Sequence, residues 1–219
     1  MNSQISNIGM KFANNLGNIK PQIFPYFLVL DFEATCDKHE RPTPIEIIEF
    51  PVVKVNSATL KIESEFHHYV KPVAHPYLTD FCTELTGIIQ DMVDEQPTLG
   101  DVLKLFDEFL KTEKLVGADD NFAFVTCGDW DLQTMLPSQC KHLNLPVPSY
   151  FKRWINLKLV YASVMGRFPS SMLSMLSGLG LTLQGRHHSG IDDARNISRI
   201  LCELIRRGAV PDITGVLKQ

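Results

Sequence analysis

Short apolar runs and helical stripes alternate along the chain, and each predicts an element. Phe27-Leu28-Val29-Leu30 runs into Asp31-Phe32 as a buried strand. Phe50 to Val55 and Ile62 to Val70 follow as two more, with turn residues Asn56-Ser57 between them. This order predicts a three-strand antiparallel meander. From Asp101 to Lys111 the residues Val102, Leu103, Leu105, Phe106, Phe109 and Leu110 fall at helical spacing, and Phe122 to Thr126 then reads as a buried strand. Strand, helix and strand in succession imply a parallel crossover. A helix is expected from Asp129 toward His142, with Pro137 predicting a kink or an early stop and Pro146 and Pro148 ending it. Trp154 to Leu157 reads as a short fifth strand. Lys158 to Met165, Met172 to Leu179, and Asp192 to about Arg207 read as helices. The sum is an α/β chain, a mixed five-stranded sheet flanked by helices, with no internal repeat.

Two acids interrupt this pattern where a buried strand ends. Side chains alternate along a strand with a rise of about 3.3 Å per residue, so Asp31 and Glu33 share one face roughly 6 to 7 Å apart. Buried carboxylates without a partner or a metal are strongly disfavoured, so the pair calls for a cation. The last helix supplies a third acid. Ile197, Ile200, Leu201 and Leu204 lie four, seven, eight and eleven positions after Asp193, which puts Asp193 on the core-facing stripe. By the same count Asp192 leads to Asn196, Arg199 and Glu203 and reads as a solvent-side N-cap. Just before it, Gly185-Arg186-His187-His188-Ser189-Gly190 is a glycine-bounded loop that can carry an imidazole, with an unperturbed pKa of about 6.5, over the same site. Cys127-Gly128-Asp129-Trp130-Asp131-Leu132 places further acids after a strand at a helix start, where ligands gather in α/β sheets. Local spacing leaves Asp129 and Asp131 both open.

With 219 residues, 44% of them hydrophobic, the chain suits one substantial core. The expected division is a mobile leader over residues 1–24, one domain over 25–210 and a tail over 211–219. Lys plus Arg total 21 against 25 for Asp plus Glu, a formal charge of −4. That excludes a generally basic nucleic-acid coat but leaves room for a local basic groove. Lys152, Arg153, Lys158 and Arg186 fit either phosphate contacts or ordinary solvated surface. Glu46 and Glu49 read as salt-bridged structural acids. The cysteines Cys36, Cys82, Cys127, Cys140 and Cys202 are odd in number and form no CxxC pair, which signals neither a disulfide framework nor a zinc ribbon. A reducing, intracellular compartment, cytoplasmic or nuclear or both, is the expectation. No segment has the core of a secretory signal and no apolar run is long enough to span a bilayer, so no membrane partner is expected.

The strand ending Asp31-Phe32-Glu33-Ala34-Thr35, the middle Trp130-Asp131 and the final His188-Ser189-Gly190-Ile191-Asp192-Asp193, in that order, resemble the three motifs of the DEDDh 3′-to-5′ exonucleases. Leu30 to Cys36, Glu46 to Pro51 and Cys82 to Ile88 resemble the ERI exoribonuclease branch of that superfamily. Val125 to Asp131 and Tyr150 to Lys158 narrow the resemblance further, which spans nearly everything from Tyr26 to Arg207. It implies an RNase H-like fold for the 25–210 domain. It also implies a metal-dependent 3′-to-5′ exoribonuclease that releases nucleoside 5′-monophosphates by a two-metal mechanism with two Mg²⁺ ions, for which Mn²⁺ can substitute. Matching the motifs carries over Asp31, Glu33, Asp131 and Asp193 as metal-binding acids, with Glu33 and His188 as the catalytic residues and His188 the general base. Glu33, Ala34, Trp130, Leu85, Thr86 and His188 carry over as nucleotide contacts. The implied partner is single-stranded RNA or an RNA 3′ overhang. The loop departs from the family in having His187 where proline is usual, on a slightly shorter approach to His188. Two other readings stand beside this one: a catalytically idle module that binds RNA or a protein, and a DNA exonuclease.

Overall fold

The run that begins at Tyr26 builds β1 (Tyr26–Leu30), breaks at Asp31-Phe32 and resumes as β2 (Glu33–Ala34). The strand β3 (Ile47–Asn56) pairs antiparallel with both, and β4 (Lys61–Tyr69) pairs antiparallel with β3. The expected meander is therefore present. Its register runs evenly from Leu30 opposite Val52 to Glu33 opposite Glu49, then slips by one at Ala34 opposite Ile47. Such a bulge re-aims side chains at a strand end. The computed structural model describes residues 19–116 and 121–218.

Helices α1 (Asp80–Thr86), α2 (Asp91–Asp94) and α3 (Leu99–Thr112) lead to β5 (Phe122–Thr126), which lies parallel to β1. A π-helical turn (Asp131–Met135) runs directly into α4 (Leu136–His142), and a 3₁₀ turn (Ser149–Lys152) precedes β6 (Arg153–Asn156), parallel to β5. The chain ends through α5 (Leu157–Met165), α6 (Met172–Leu179), α7 (Gly190–Arg206) and β7 (Gly215–Val216). Among the described residues no helix is long and apolar enough to cross a membrane.

Alternation along β1 divides the core in two. Phe27 and Val29 join Val53, Val55 and Val125 under Tyr161, Met175, Ile197, Ile200 and Leu204, on the face covered by α5, α6 and α7. Leu28 and Leu30 join Phe50, Val52 and Phe124 against Phe106, Leu136 and Phe151 on the other face. The helical stripe expected on α3 is the buried one, with Val102, Leu103, Phe106 and Leu110 inward, while Leu105 faces solvent. Phe106 anchors an aromatic cluster, stacking on Phe151 with centroids 5.6 Å apart and planes at 21°.

Four expectations change. The five long strands are as expected, but two-residue pairings at β2 and β7 bring the sheet to seven. The helix expected over 129–142 is split at Pro137, which sits in the first turn of α4 behind the π-helical turn. A proline lacks the N–H that would continue the preceding ladder, so the turn widens there. The tail expected over 211–219 instead returns to the sheet: β7 pairs antiparallel with β6, and the Thr214 and Leu217 N–H groups donate to the Trp154 and Lys152 carbonyls. A free β6 edge is a template for such pairing, and glycine at 215 lets the backbone lie against the Trp154 indole, where a Cβ would collide. The mobile leader expected over 1–24 falls, for residues 1–18, outside the described residues. Ile19 and Phe24 pack on the core, so the packed domain begins before residue 25. The helices α1 and α2 lie in a stretch for which no element was expected.

Because β7 closes the edge over Trp154, a chain cut after Pro211 should melt about 5 °C lower than the whole chain, the cost of two or so lost ladder bonds. A thermal melt followed by circular dichroism measures this, and an unchanged midpoint would make β7 an ornament.

Candidate active site

The alternation that buries Phe27 and Val29 under α7 also sets the direction of Asp31 and Glu33. They continue the same odd-numbered row, so their carboxylates project beneath the start of that helix. The helix must come close, and Gly190 permits it: a Cβ there would stand 2.8 Å from the Asp31 carbonyl oxygen. Glu49 holds the contact in place. Its Oε2 accepts the Gly190 N–H at 2.8 Å and its Oε1 the Ile191 N–H at 3.1 Å, and His67 Nε2 lies 2.8 Å from Oε1. A carboxylate bound to the first N–H groups of a helix is favoured by both hydrogen bonding and the helix dipole.

Asp193 lies in the first turn of α7 and is only 3% exposed, as its place on the core-facing stripe predicts. Its Oδ2 accepts the His188 backbone N–H and faces His187 Nδ1, both at 2.9 Å, whereas its Oδ1 is buried with no hydrogen-bond partner among the described residues. Asp31, Glu33 and Asp193 each offer a carboxylate oxygen within 4.8 Å of the others. An orphaned anionic oxygen in such a group is costly unless a cation completes it. These residues therefore fit a divalent metal, with hard oxygen donors and little geometric demand on the protein.

Asp131 opens the π-helical turn and is buried against the end of β1, where its Oδ1 accepts the Phe32 N–H at 3.1 Å. It lies outside the close trio but near enough to Asp31 to raise its pKa. Asp129 is engaged elsewhere: Trp154 Nε1 and Asn156 Nδ2 each donate to one of its oxygens at 2.8 Å. The geometry thus separates two acids that spacing could not. An Asp129→Asn variant should lose about 1–3 kcal/mol of stability as one donor loses its acceptor, while Mn²⁺ binding, followed by calorimetry, stays as it was.

Crowding shows in the electrostatics. Burial, aided by the charges of Glu49, Asp193 and Asp131, pushes Glu33 up to about 9. Burial likewise raises Asp31 well above the usual carboxylate range, with Asp131 and Glu33 adding to it. Asp131 is pushed up to about 6 by burial against the opposing Phe32 N–H, and Asp193 is raised by burial against the hydrogen bond from His188. Without positive charge the four acids cannot all ionise near neutral pH.

His188 adopts a left-handed φ of 65°, a conformation that histidine tolerates better than most side chains. Burial, then repulsion from His187, lowers its pKa, with Asp193 opposing. A neutral imidazole is the form a base requires. Arg186 pins the loop from the other side, its Nη2 donating to the Glu84 and Leu85 carbonyls at 2.6 and 3.4 Å at the end of α1. It is therefore a tether rather than part of an open basic groove. Lys158 Nζ donates to the Ser170 carbonyl, and Arg153 lines a separate cavity with Tyr150.

Beside the acids opens a cavity of about 530 Å³ lined by Phe32, Glu33, Ala34, Arg41, Leu85 and Trp130, among others. Ala34, Leu85 and Trp130 are thus brought together, and Trp130 is 40% exposed. Thr86 is not among them: it is buried, and its hydroxyl donates to the Cys82 carbonyl and accepts from the Ile88 N–H. Asp192 does not cap α7, since Ser189 precedes the helix and Asp192 lies in its first turn. Its Oδ2 instead accepts the Arg186 N–H at 2.9 Å. Glu46 is structural, as expected, receiving the N–H groups of Val73, Ala74 and His75. The sequence leaves Arg186 as a phosphate contact or solvated surface and Glu49 as a salt-bridged acid, and it does not show that the first tethers the loop, that the second clamps α7, or that His187 meets Asp193. The available signal for Glu49 was its place in an otherwise apolar strand.

The exonuclease family model matches residues 28–201. Human ERI1 exoribonuclease 3 is 57% identical over 191 residues, which cover 87% of this chain and 56% of that protein, so the chain spans just over half the length of this relative. Among solved structures, the nuclease domain of 3′hExo, a DEDDh family member bound to rAMP, superposes with a TM-score of 0.84 at 37% identity, covering 89% of this chain and 98% of its own. A structure described as 3′-end specific recognition of histone mRNA stem-loop by 3′-exonuclease gives 0.87 at 36% identity over 92% of this chain and 70% of that one. The DEDDh exonucleases use divalent metal ions, and Asp31, Glu33 and Asp193 are acidic groups that could bind one. Matched across four-fifths of its length, with the mixed sheet and helices of these nucleases around that cluster, the chain belongs to the exonuclease family, in the ERI branch of its DEDDh members.

Proposed function

We propose that this chain is a 3′-to-5′ exoribonuclease that hydrolyses phosphodiester bonds at RNA 3′ ends and releases nucleoside 5′-monophosphates. The observation that carries the reading is Asp193: a buried carboxylate with one orphaned oxygen, grouped with Asp31 and Glu33 and hydrogen-bonded to the loop that bears His188. Asp31, Glu33, Asp131 and Asp193 would hold two divalent ions, Mg²⁺ or Mn²⁺. When bound, such ions orient the attacking water and offset charge on the scissile phosphate and the departing 3′ oxygen.

The chain's own residues do the rest. His188, neutral and beside the acids, takes the proton of the attacking water. Ala34 and Leu85 wall the adjoining cavity, and the exposed Trp130 offers a face on which a terminal base can stack. Glu33 borders both the acid cluster and this cavity, which suits it to orient the terminal nucleotide. RNA rather than DNA is supported by the rAMP-bound relative and by the relative that recognises an RNA stem-loop. Five free thiols support an intracellular setting.

End-labelled single-stranded RNA and DNA of one sequence, incubated with Mg²⁺, Mn²⁺ or a chelator, test the reading. RNA should shorten stepwise from its 3′ end in either metal and remain intact in chelator. Faster loss of DNA would reassign the substrate, and no metal-dependent shortening of either polymer would leave a binding module.

A further inference from the structure

Two imidazoles and a carboxylate meet at the N-terminus of α7, and hydrolysis as described uses only His188 and Asp193 of the three, leaving His187 without a role. The rings of His187 and His188 stack with centroids 3.9 Å apart and planes at 21°. His187, His188 and Asp193 each offer a donor atom within 4.8 Å of the others. Asp193 is almost wholly buried, and its Oδ1 has no hydrogen-bond partner among the described residues. We infer that these three side chains form a zinc-binding site, which shares Asp193 with the carboxylate trio but differs from it in donor chemistry.

The donor set decides the metal. Mg²⁺ takes hard oxygen ligands, whereas Zn²⁺ binds imidazole nitrogen and carboxylate oxygen at about 2.0 to 2.1 Å. In a tetrahedron of such bonds neighbouring ligand atoms stand roughly 3.3 Å apart. His187 Nδ1 and Asp193 Oδ2, now 2.9 Å apart, need to open by only a few tenths of an ångström. Zinc takes the place of the hydrogen bond between these two atoms, and the neutral imidazole keeps its single ring proton on Nε2, the tautomer that leaves Nδ1 free for the metal. Rotation of the His188 ring about its broad terminal torsion brings in a second nitrogen, and water completes the shell. The affinity order of first-row ions places zinc above manganese at such a site. His187 makes the difference, because without it only one imidazole would stand beside Asp193.

Zinc held there engages both His188 and Asp193, so it should stop RNA shortening supported by Mg²⁺. That consequence rests on the exoribonuclease reading, whereas zinc binding does not. The whole chain, stripped of metal, is titrated with Zn²⁺ against a chromogenic chelator, and the zinc complex is measured by X-ray absorption. One equivalent with two imidazoles is expected. His187→Ala should show one imidazole and bind zinc about tenfold or more weakly. His187→Gln should do the same while keeping a side-chain hydrogen bond to Asp193, which separates loss of a ligand from a disturbed loop. Undiminished affinity in both variants, or fewer than two imidazoles in the unaltered chain, overturns the proposal. Zinc binding is read without nucleic acid and RNA shortening without zinc, so the two readings fail separately.

Discussion

Glu33→Gln should slow metal-dependent RNA shortening by about three orders of magnitude, the rate equivalent of the several kcal/mol that a bound metal contributes to transition-state charge stabilisation. His188→Ala should slow it by about two to four orders, the usual share of a general base. The two losses have different origins, and metal binding tells them apart. Mn²⁺ at about one hundred times its Kd should stabilise the unaltered chain by about 2.7 kcal/mol, or roughly 5–10 °C in its melting midpoint. His188→Ala should keep that shift and Glu33→Gln should lose much of it. Neither variant should unfold. Burial holds the Glu33 carboxyl at about 9 in the metal-free chain, so it is already protonated at neutral pH and glutamine is a close mimic. A Glu33→Gln chain that keeps both the Mn²⁺ shift and the rate would remove Glu33 from the metal site.

Strand and helix positions were legible wherever one physical signal ran unopposed. Phe122 to Thr126 and Met172 to Leu179 match the observed elements at both ends, because an apolar run or a stripe flanked by polar residues leaves one solution. Asp193 was legible for the same reason: an acid on a stripe of isoleucine and leucine must face inward. The choice between Asp129 and Asp131 was not. It depends on Trp154 and Asn156, more than twenty residues away, reaching back to occupy Asp129. The β7 pairing was hidden because a two-residue strand has no period to detect; what specifies it is the open edge of β6. Leu85 and Trp130 came from family resemblance, and the cavity that unites them is a tertiary feature. Thr86 shows the limit of such a transfer, since its hydroxyl is spent within its own helix and the turn after it.

The same distinction bears on Glu49, which reads in sequence as another salt-bridged acid. Both of its oxygens face the start of α7, so it couples the sheet to the helix and loop that carry Asp193 and His188. The Arg195 pair with Glu65, at 2.6 Å, also joins sheet and helix but lies at the surface. Glu49→Ala should leave two buried N–H groups without acceptors, at about 1–3 kcal/mol each, and lower the melting midpoint by roughly 10 °C. Below that temperature the folded fraction should still shorten RNA about a hundredfold more slowly, since displacing a reacting group by about 1 Å costs that much. Glu46→Ala is the natural control. It removes a comparable clamp from the 73–75 loop, which bears none of Asp31, Glu33, Asp131, Asp193 or His188, and should lower stability while the rate per folded molecule holds. Glu49→Gln, retaining one acceptor oxygen, should fall between Glu49→Ala and the unaltered chain on both scales. If Glu49→Ala melts early but shortens RNA at the full rate below its midpoint, then Glu49 stabilises the fold without setting the position of Asp193.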